Sequence, residues 1–198
     1  MVMIAINNGF GINISKHIHL IWKKRRIQMQ TLERYIKMYN VGEKVVHPMH
    51  GAGIVQEVRT IEVLGKKQDY YTIKMAVGGM VTSIPVDNAN MVGIRDVIDK
   101  TEARKVVETF RALEVTEDGN WNKRQRENLN KLKSGDIYQV LEVLKDLMYR
   151  DKKKGLSTNE RKTLSSARQI VMSELVLSEF ASESDVESIL NDTIEELL

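Results

Sequence analysis

The run Trp121-Asn122-Lys123-Arg124-Gln125-Arg126 sets an indole beside three permanent cations at the expected start of a helix. Such a segment can neutralise phosphates and offer a flat apolar ring to a base step. A competing reading makes Trp121 a core residue, because Trp121, Leu129 and Leu132 fall near one helical stripe, with Lys123, Arg126 and Lys133 roughly opposite. Two further basic groups follow. Lys152-Lys153-Lys154 ends a helix, where cations complement the dipole. Arg161-Lys162 stands in the first turn of the next helix, where carboxylates are preferred, so that pair points to function. If these helices lie side by side, their cations share one face that DNA backbone would bind without sequence readout.

Catalytic chemistry finds little footing. His47 and His50 bracket Pro48-Met49 in a turn, but no nearby Cys, Asp or third His completes a metal site, so no metal is expected. Gly51-Ala52-Gly53 lacks the Gly-Lys-Ser/Thr of a phosphate loop and leads into a strand. There is no Gly-x-Ser-x-Gly elbow. The chain reads as a non-enzyme with no cofactor.

The elements that must position these residues fall into two kinds. From 41 to about 94 the pattern is β, with runs at 44–46, 53–63, 69–76 and 80–85 rich in Val, Ile, Tyr and Thr. Turn signals separate them at 48–51, 64–67 and Gly78-Gly79, the last predicting a two-residue hairpin. Short strands in so few residues predict a small, strongly bent SH3-like or Tudor-like barrel. After Asp96 the period becomes helical. Val106, Phe110 and Leu113 face one way from about Lys100, and Ile137, Val140, Leu141, Leu144 and Met148 form an amphipathic series after Ser134-Gly135-Asp136. Ser157-Thr158-Asn159-Glu160 fits a capping box opening a helix with Leu164, Val171 and Leu175 inward, and Val186, Ile189, Leu190 and Leu197 mark a last acidic helix. Short loops predict a compact bundle. The fold class expected is α+β, a β module then an all-helical one, joined near 94–100.

The 198 residues suffice for one domain or two small ones, and contain no cysteine. No apolar run approaches the ~18 residues that span a bilayer. Charge is segregated. Residues 1–37 hold seven cations and one anion, residues 121–168 thirteen and six, and residues 169–198 eight carboxylates with no Lys or Arg. One surface therefore suits a polyanion and another repels it. The leader 1–37, with Lys23-Lys24-Arg25-Arg26 after an apolar stretch that could form a short basic helix, reads as a flexible extension or an upstream start.

Separated motifs recur in order along the chain from Met38. The β half carries Val41-Gly42-Glu43-Lys44-Val45-Val46-His47-Pro48-Met49-His50-Gly51-Ala52-Gly53, Ile84-Pro85-Val86-Asp87-Asn88-Ala89 and Val92-Gly93-Ile94-Arg95. The helical half carries Asn120-Trp121, Asn128-Leu129-Asn130-Lys131-Leu132, Ser134-Gly135-Asp136, Gly155-Leu156-Ser157 and Ala167-Arg168-Gln169-Ile170. In these motifs the chain resembles the CarD/CdnL family of bacterial RNA polymerase-binding transcription regulators. The resemblance implies a Tudor-like module at 38–96, shared with transcription-repair coupling factors, that docks on the RNA polymerase β subunit. It implies a helical module at 97–198 that touches promoter DNA at the upstream edge of the melted bubble. Trp121 matches the family's minor-groove wedge, and Lys123, Arg124, Arg126 and Arg161 match basic positions around it. The family often carries polymerase-binding arginines where this chain has Ile61 and Ser83; Arg59, two residues away on the same strand face, is expected to substitute. Val81, Thr82, Ser83, Ile84 and Pro85 would pair with polymerase by strand addition.

The expected function is a transcription regulator, cytoplasmic and nucleoid-associated, acting as a monomer without membrane contact and with little sequence preference. The rival is a protein-interaction adaptor on polymerase whose cations form only a solvated face.

Overall fold

Antiparallel pairing organises the first half of the chain. A computed structural model describes residues 38–115 and 121–198, so the leader, its basic run and Asn120 lie outside the described residues. Strands β1 (Lys44–His47), β2 (Gly51–Val63), β3 (Lys66–Met75), β4 (Val81–Pro85) and β5 (Arg95–Asp96) form one antiparallel sheet in the order β4-β3-β2-β1-β5. An irregularity after Val55 shifts the β2–β3 register at Gln56 and adds local bend. Tyr39, Val45, Val55, Tyr71, Ile73, Met75, Ile84, Ala89 and Ile94 make the core on one face. Tyr39 is anchored there by its own N–H, which donates to the Tyr71 hydroxyl at 2.9 Å.

Turn chemistry differs from expectation at one place. Gly78 and Gly79 both take positive φ, at 74° and 64°, but the connection is longer than two residues, closed by Met75 N–H donating to Met80 O at 2.8 Å. The tight two-residue turn is Leu64-Gly65, with φ 53° and 76°, joining β2 to β3. Positive φ at both central residues gives the twist that matches paired strands, and Leu64 accepts the backbone cost there.

After β4 the chain makes a short 3-10 turn (Val86–Asn88) and a one-turn helix α1 (Ala89–Val92) that the sequence pattern did not signal. Five longer helices follow among the described residues: α2 (Lys100–Ala112), α3 (Trp121–Lys133), α4 (Ile137–Lys154), α5 (Thr158–Leu177) and α6 (Glu183–Glu195). Each start has its chemistry. Asp99, Asp136, Ser157 and Ser182 cap α2, α4, α5 and α6, and Ser157 with Glu160 completes the expected capping box. Leu141, Leu144, Leu147, Val171, Leu175, Val186, Leu190 and Ile194 fill the helical core, together with Val106 and Phe110 of α2. Lys145 is buried in that core at 1% exposure, where its ammonium donates to the Phe110 and Arg111 carbonyls at 2.7 and 2.9 Å. Burial lowers the Lys145 pKa, while the α2 C-terminal dipole and orphan carbonyls give the charge a partner.

The helices and sheet share contacts. Residues 38–198 form one compact unit, in which α5 lies against β2. The His47-to-Gly53 motif makes this joint. Ala52 N–H donates to Ser173 Oγ at 2.7 Å and Gln169 Nε2 donates to the His50 carbonyl at 3.2 Å. Gly51, at φ 86°, lies so close that a Cβ there would stand 3.1 Å from Ile170 Cα and overlap Ser173 Oγ.

Candidate nucleic-acid interface

Three helices bring the basic segments to one end of the helical half. α3, α4 and α5 are joined by short loops around Gly135 and Gly155, so neighbours run antiparallel. The N-termini of α3 and α5 and the C-terminus of α4 therefore lie at the same end. Hydrogen bonds fix the α3–α5 side of this arrangement: Arg124 Nη2 donates to Glu160 Oε1 at 2.8 Å, and Gln125 Nε2 donates to Thr163 Oγ1 at 3.3 Å. That end carries Trp121, Lys123, Arg126, Lys152, Lys153, Lys154, Arg161 and Lys162, all exposed.

Trp121 is 41% exposed and does not enter the helical core. The core reading of its stripe holds for Leu132 and fails for Trp121 and Leu129. Leu129, expected inward, is 37% exposed, and the buried positions are Asn128 and Leu132. The inward stripe is Arg124, Asn128, Leu132, at spacing i, i+4, i+8, which that sequence reading passed over because its first two members are polar. Of the expected DNA-facing cations, Lys123 stands 4.0 Å from Glu127 in an exposed pair that costs it little availability. Arg126 and Arg161 are exposed. Arg124 is different: its side chain is 11% exposed and committed to Glu160, at 7%. Burial alone would raise the Glu160 carboxyl, but hydrogen bonds from Arg124 and Ser157 hold it below its usual range. In the lysine run, Lys152 pairs with Glu195 of α6 at 3.3 Å, and Lys153 lies 5.4 Å from the Tyr149 ring centroid.

The second surface is the β4 edge. Among the described residues β4 pairs with β3 alone, and no strand pairs with its other side. Val81 and Ser83 are exposed, Thr82 and Pro85 half-buried, and Ile84 is 5% exposed as a core residue. Register places Arg59, Tyr70 and Pro85 in one row across β2, β3 and β4, and Glu57, Thr72 and Ser83 two rows on, past Val58, Tyr71 and Ile84. Side chains two apart share a face, so Arg59 stands on the face of Ile61, two rows from Ser83. Its Nε lies 3.6 Å from Glu57 Oε1.

The His47 and His50 rings lie 4.4 Å apart between centroids, tilted by 38°, and Met49 N–H donates to His47 Nδ1 at 3.0 Å. Burial, then the charge of His50, pushes the His47 pKa down to about 4. Among the described residues no group of three or more His, Cys, Asp and Glu stands together as a metal site. No helix among them is long and apolar enough to cross a membrane.

Both halves of the chain have counterparts among known proteins. The model of the CarD-like/TRCF RID domain matches residues 39–98, and that of the CarD C-terminal domain matches residues 105–191. A Bacillus subtilis (strain 168) protein, YdeB, named as a proposed transcription factor, is 34% identical over 151 residues, covering 76% of this chain and 99% of its own. With both halves matched in order and so much of a relative covered, the chain belongs to the CarD/CdnL family of transcription regulators.

Proposed function

We propose that this protein docks on the β subunit of RNA polymerase and lengthens the life of the promoter open complex by placing Trp121 at the upstream edge of the melted bubble. The observation that carries the reading is the exposed indole at the start of α3, among cations and beside a second helix N-terminus. Two helix N-termini add positive potential to Lys123, Arg126 and Arg161, which favours phosphate. An apolar ring offered at an already unstacked step offsets part of the cost of keeping it open. Charge acts on the backbone, so sequence preference is small.

Docking supports the weak DNA contact. The unpaired β4 edge suits strand addition by polymerase, with Val81, Thr82, Ser83 and Pro85 along it, Ile84 holding it to the core, and Arg59 flanking. Division of labour follows the two halves, 38–96 for polymerase and 97–198 for DNA. Tethering raises the local concentration of the helical half near the promoter, so modest affinity suffices. The protein acts in this way as a single copy, without catalysis or cofactor, on the nucleoid in the cytoplasm.

The test is the lifetime of a competitor-challenged open complex formed with purified polymerase. Wild-type protein lengthens it, and Trp121→Ala removes the effect while polymerase binding persists. Equal lifetimes with wild type and Trp121→Ala contradict the wedge.

A further inference from the structure

Polar contacts, more than apolar packing, hold α3 against α5. Of its 13 residues, Asn128 and Leu132 are the buried ones. What crosses to α5 near the N-terminus is the Arg124–Glu160 bond at 2.8 Å and the Gln125–Thr163 bond at 3.3 Å. Glu160 serves both helices. Its Oε2 accepts from Ser157 N–H at 3.1 Å and Ser157 Oγ–H at 2.7 Å, closing the α5 cap, while its Oε1 takes the guanidinium. Arg124 lies three residues after Trp121, about one turn along the same helix.

We propose that the Arg124–Glu160 pair is a latch that fixes the direction in which Trp121 projects, making Arg124 a positioning residue and not a phosphate contact. The inference rests on the wedge reading of Trp121. A charge-assisted bond between two largely buried partners is directional and weakly screened, unlike the exposed pair of Lys123 with Glu127. Glu160 is itself oriented by its two bonds to Ser157, so the anchor is fixed before Arg124 reaches it. The buried residues of α3, Asn128 and Leu132, lie about two and three turns from the indole, so loss of the latch frees the indole end first, with the Gln125–Thr163 bond left beside it.

The test uses the full chain carrying Trp22→Phe, which leaves Trp121 as its one indole. Acrylamide quenching of Trp121 fluorescence and open-complex lifetime are measured for Arg124→Met, Arg124→Lys, Trp121→Ala and the Trp121→Ala/Arg124→Met double variant, with circular dichroism melts as the folding control. Expected are stronger quenching in Arg124→Met and loss of about tenfold in the lifetime gain, the order of one charge-assisted bond. Substantial recovery is expected in Arg124→Lys. The double variant is no worse than Trp121→Ala alone, because the two residues act as one unit. Unchanged quenching in Arg124→Met overturns the latch. A loss that persists in the Trp121→Ala background and steepens with salt makes Arg124 a phosphate contact and overturns it too. Failure of the wedge reading is separate: Trp121→Ala then matches wild type, whatever Arg124→Met does. Should Arg124→Met not fold, Glu160→Gln keeps the cap, since Gln serves at that position, and reads the charge of the latch by the same quenching.

Discussion

Arg95 of β5 grips Glu174 of α5 through two parallel N–H···O bonds, one of 2.8 Å, and its Nε donates to the Gly135 carbonyl at 3.0 Å. Glu174 is fully buried, and Arg95 is 32% exposed. One guanidinium thus ties the last strand of the sheet to α5 and to the turn between α3 and α4. The sheet and the helical half are joined through this residue and the Gly51 loop.

Removing Arg95 leaves a buried carboxylate without its counter-charge. Arg95→Ala should therefore cost about 3 kcal/mol in chemical denaturation, in the range for breaking a buried pair. Arg95→Lys recovers only part, since an ammonium cannot reproduce the fork. A loss below about 1 kcal/mol would mean that the pair behaves as an exposed one.

Gly51→Ala should destabilise by about 2 kcal/mol or more. It combines a side chain at φ 86° with overlap against α5. Gly65→Ala, also at positive φ but with open space around it, carries the backbone cost alone. Denaturation of both variants separates the two contributions, and equal losses would contradict the close packing at Gly51.

His47 predicts an acid-sensitive joint. Burial and the charge of His50 hold its folded pKa at about 4, against 6.5 in the unfolded chain. The folded state resists a proton that the unfolded state accepts. Stability present above pH 6.5 is therefore lost as pH falls toward 4, by up to about 1.4 kcal/mol per pH unit. His47→Gln should flatten stability across that window in denaturation series at several pH values. An unchanged slope would place the titration elsewhere.

The exposed β4 edge predicts that Val81→Lys spares folding, with the side chain 53% exposed, and weakens polymerase capture by about tenfold. The bundle end should by contrast respond to salt. Binding to a DNA fork should weaken steeply as salt rises, with Lys123→Ala, Arg126→Ala or Arg161→Ala each lowering the slope by about one. A flat salt response would favour the adaptor role.

Much of this was legible in residue pattern, for identifiable reasons. The β2 and β3 runs announce themselves through β-branched and aromatic residues, and α4 through an uninterrupted apolar period. Asp136 and the Ser157–Glu160 box are local signals, readable within four residues. The two-residue β5 is too short to carry a pattern, and its pairing with Val45 and Val46 is set by contacts about fifty residues distant. The inward face of α3 carries no apolar signal at Arg124, because the partner that draws it inward, Glu160, lies 36 residues away. The His47–Gly53 motif was visible as a turn, while its use as the joint depends on Gln169 and Ser173, about 120 residues later.

The most direct measurement places a photo-crosslinking residue, p-benzoylphenylalanine, at position 121 and maps its adducts in an open complex with polymerase. Expected are crosslinks to promoter DNA clustered at the upstream edge of the bubble, dependent on polymerase. Crosslinks to polymerase alone, or to DNA without preference for that edge, would contradict the wedge.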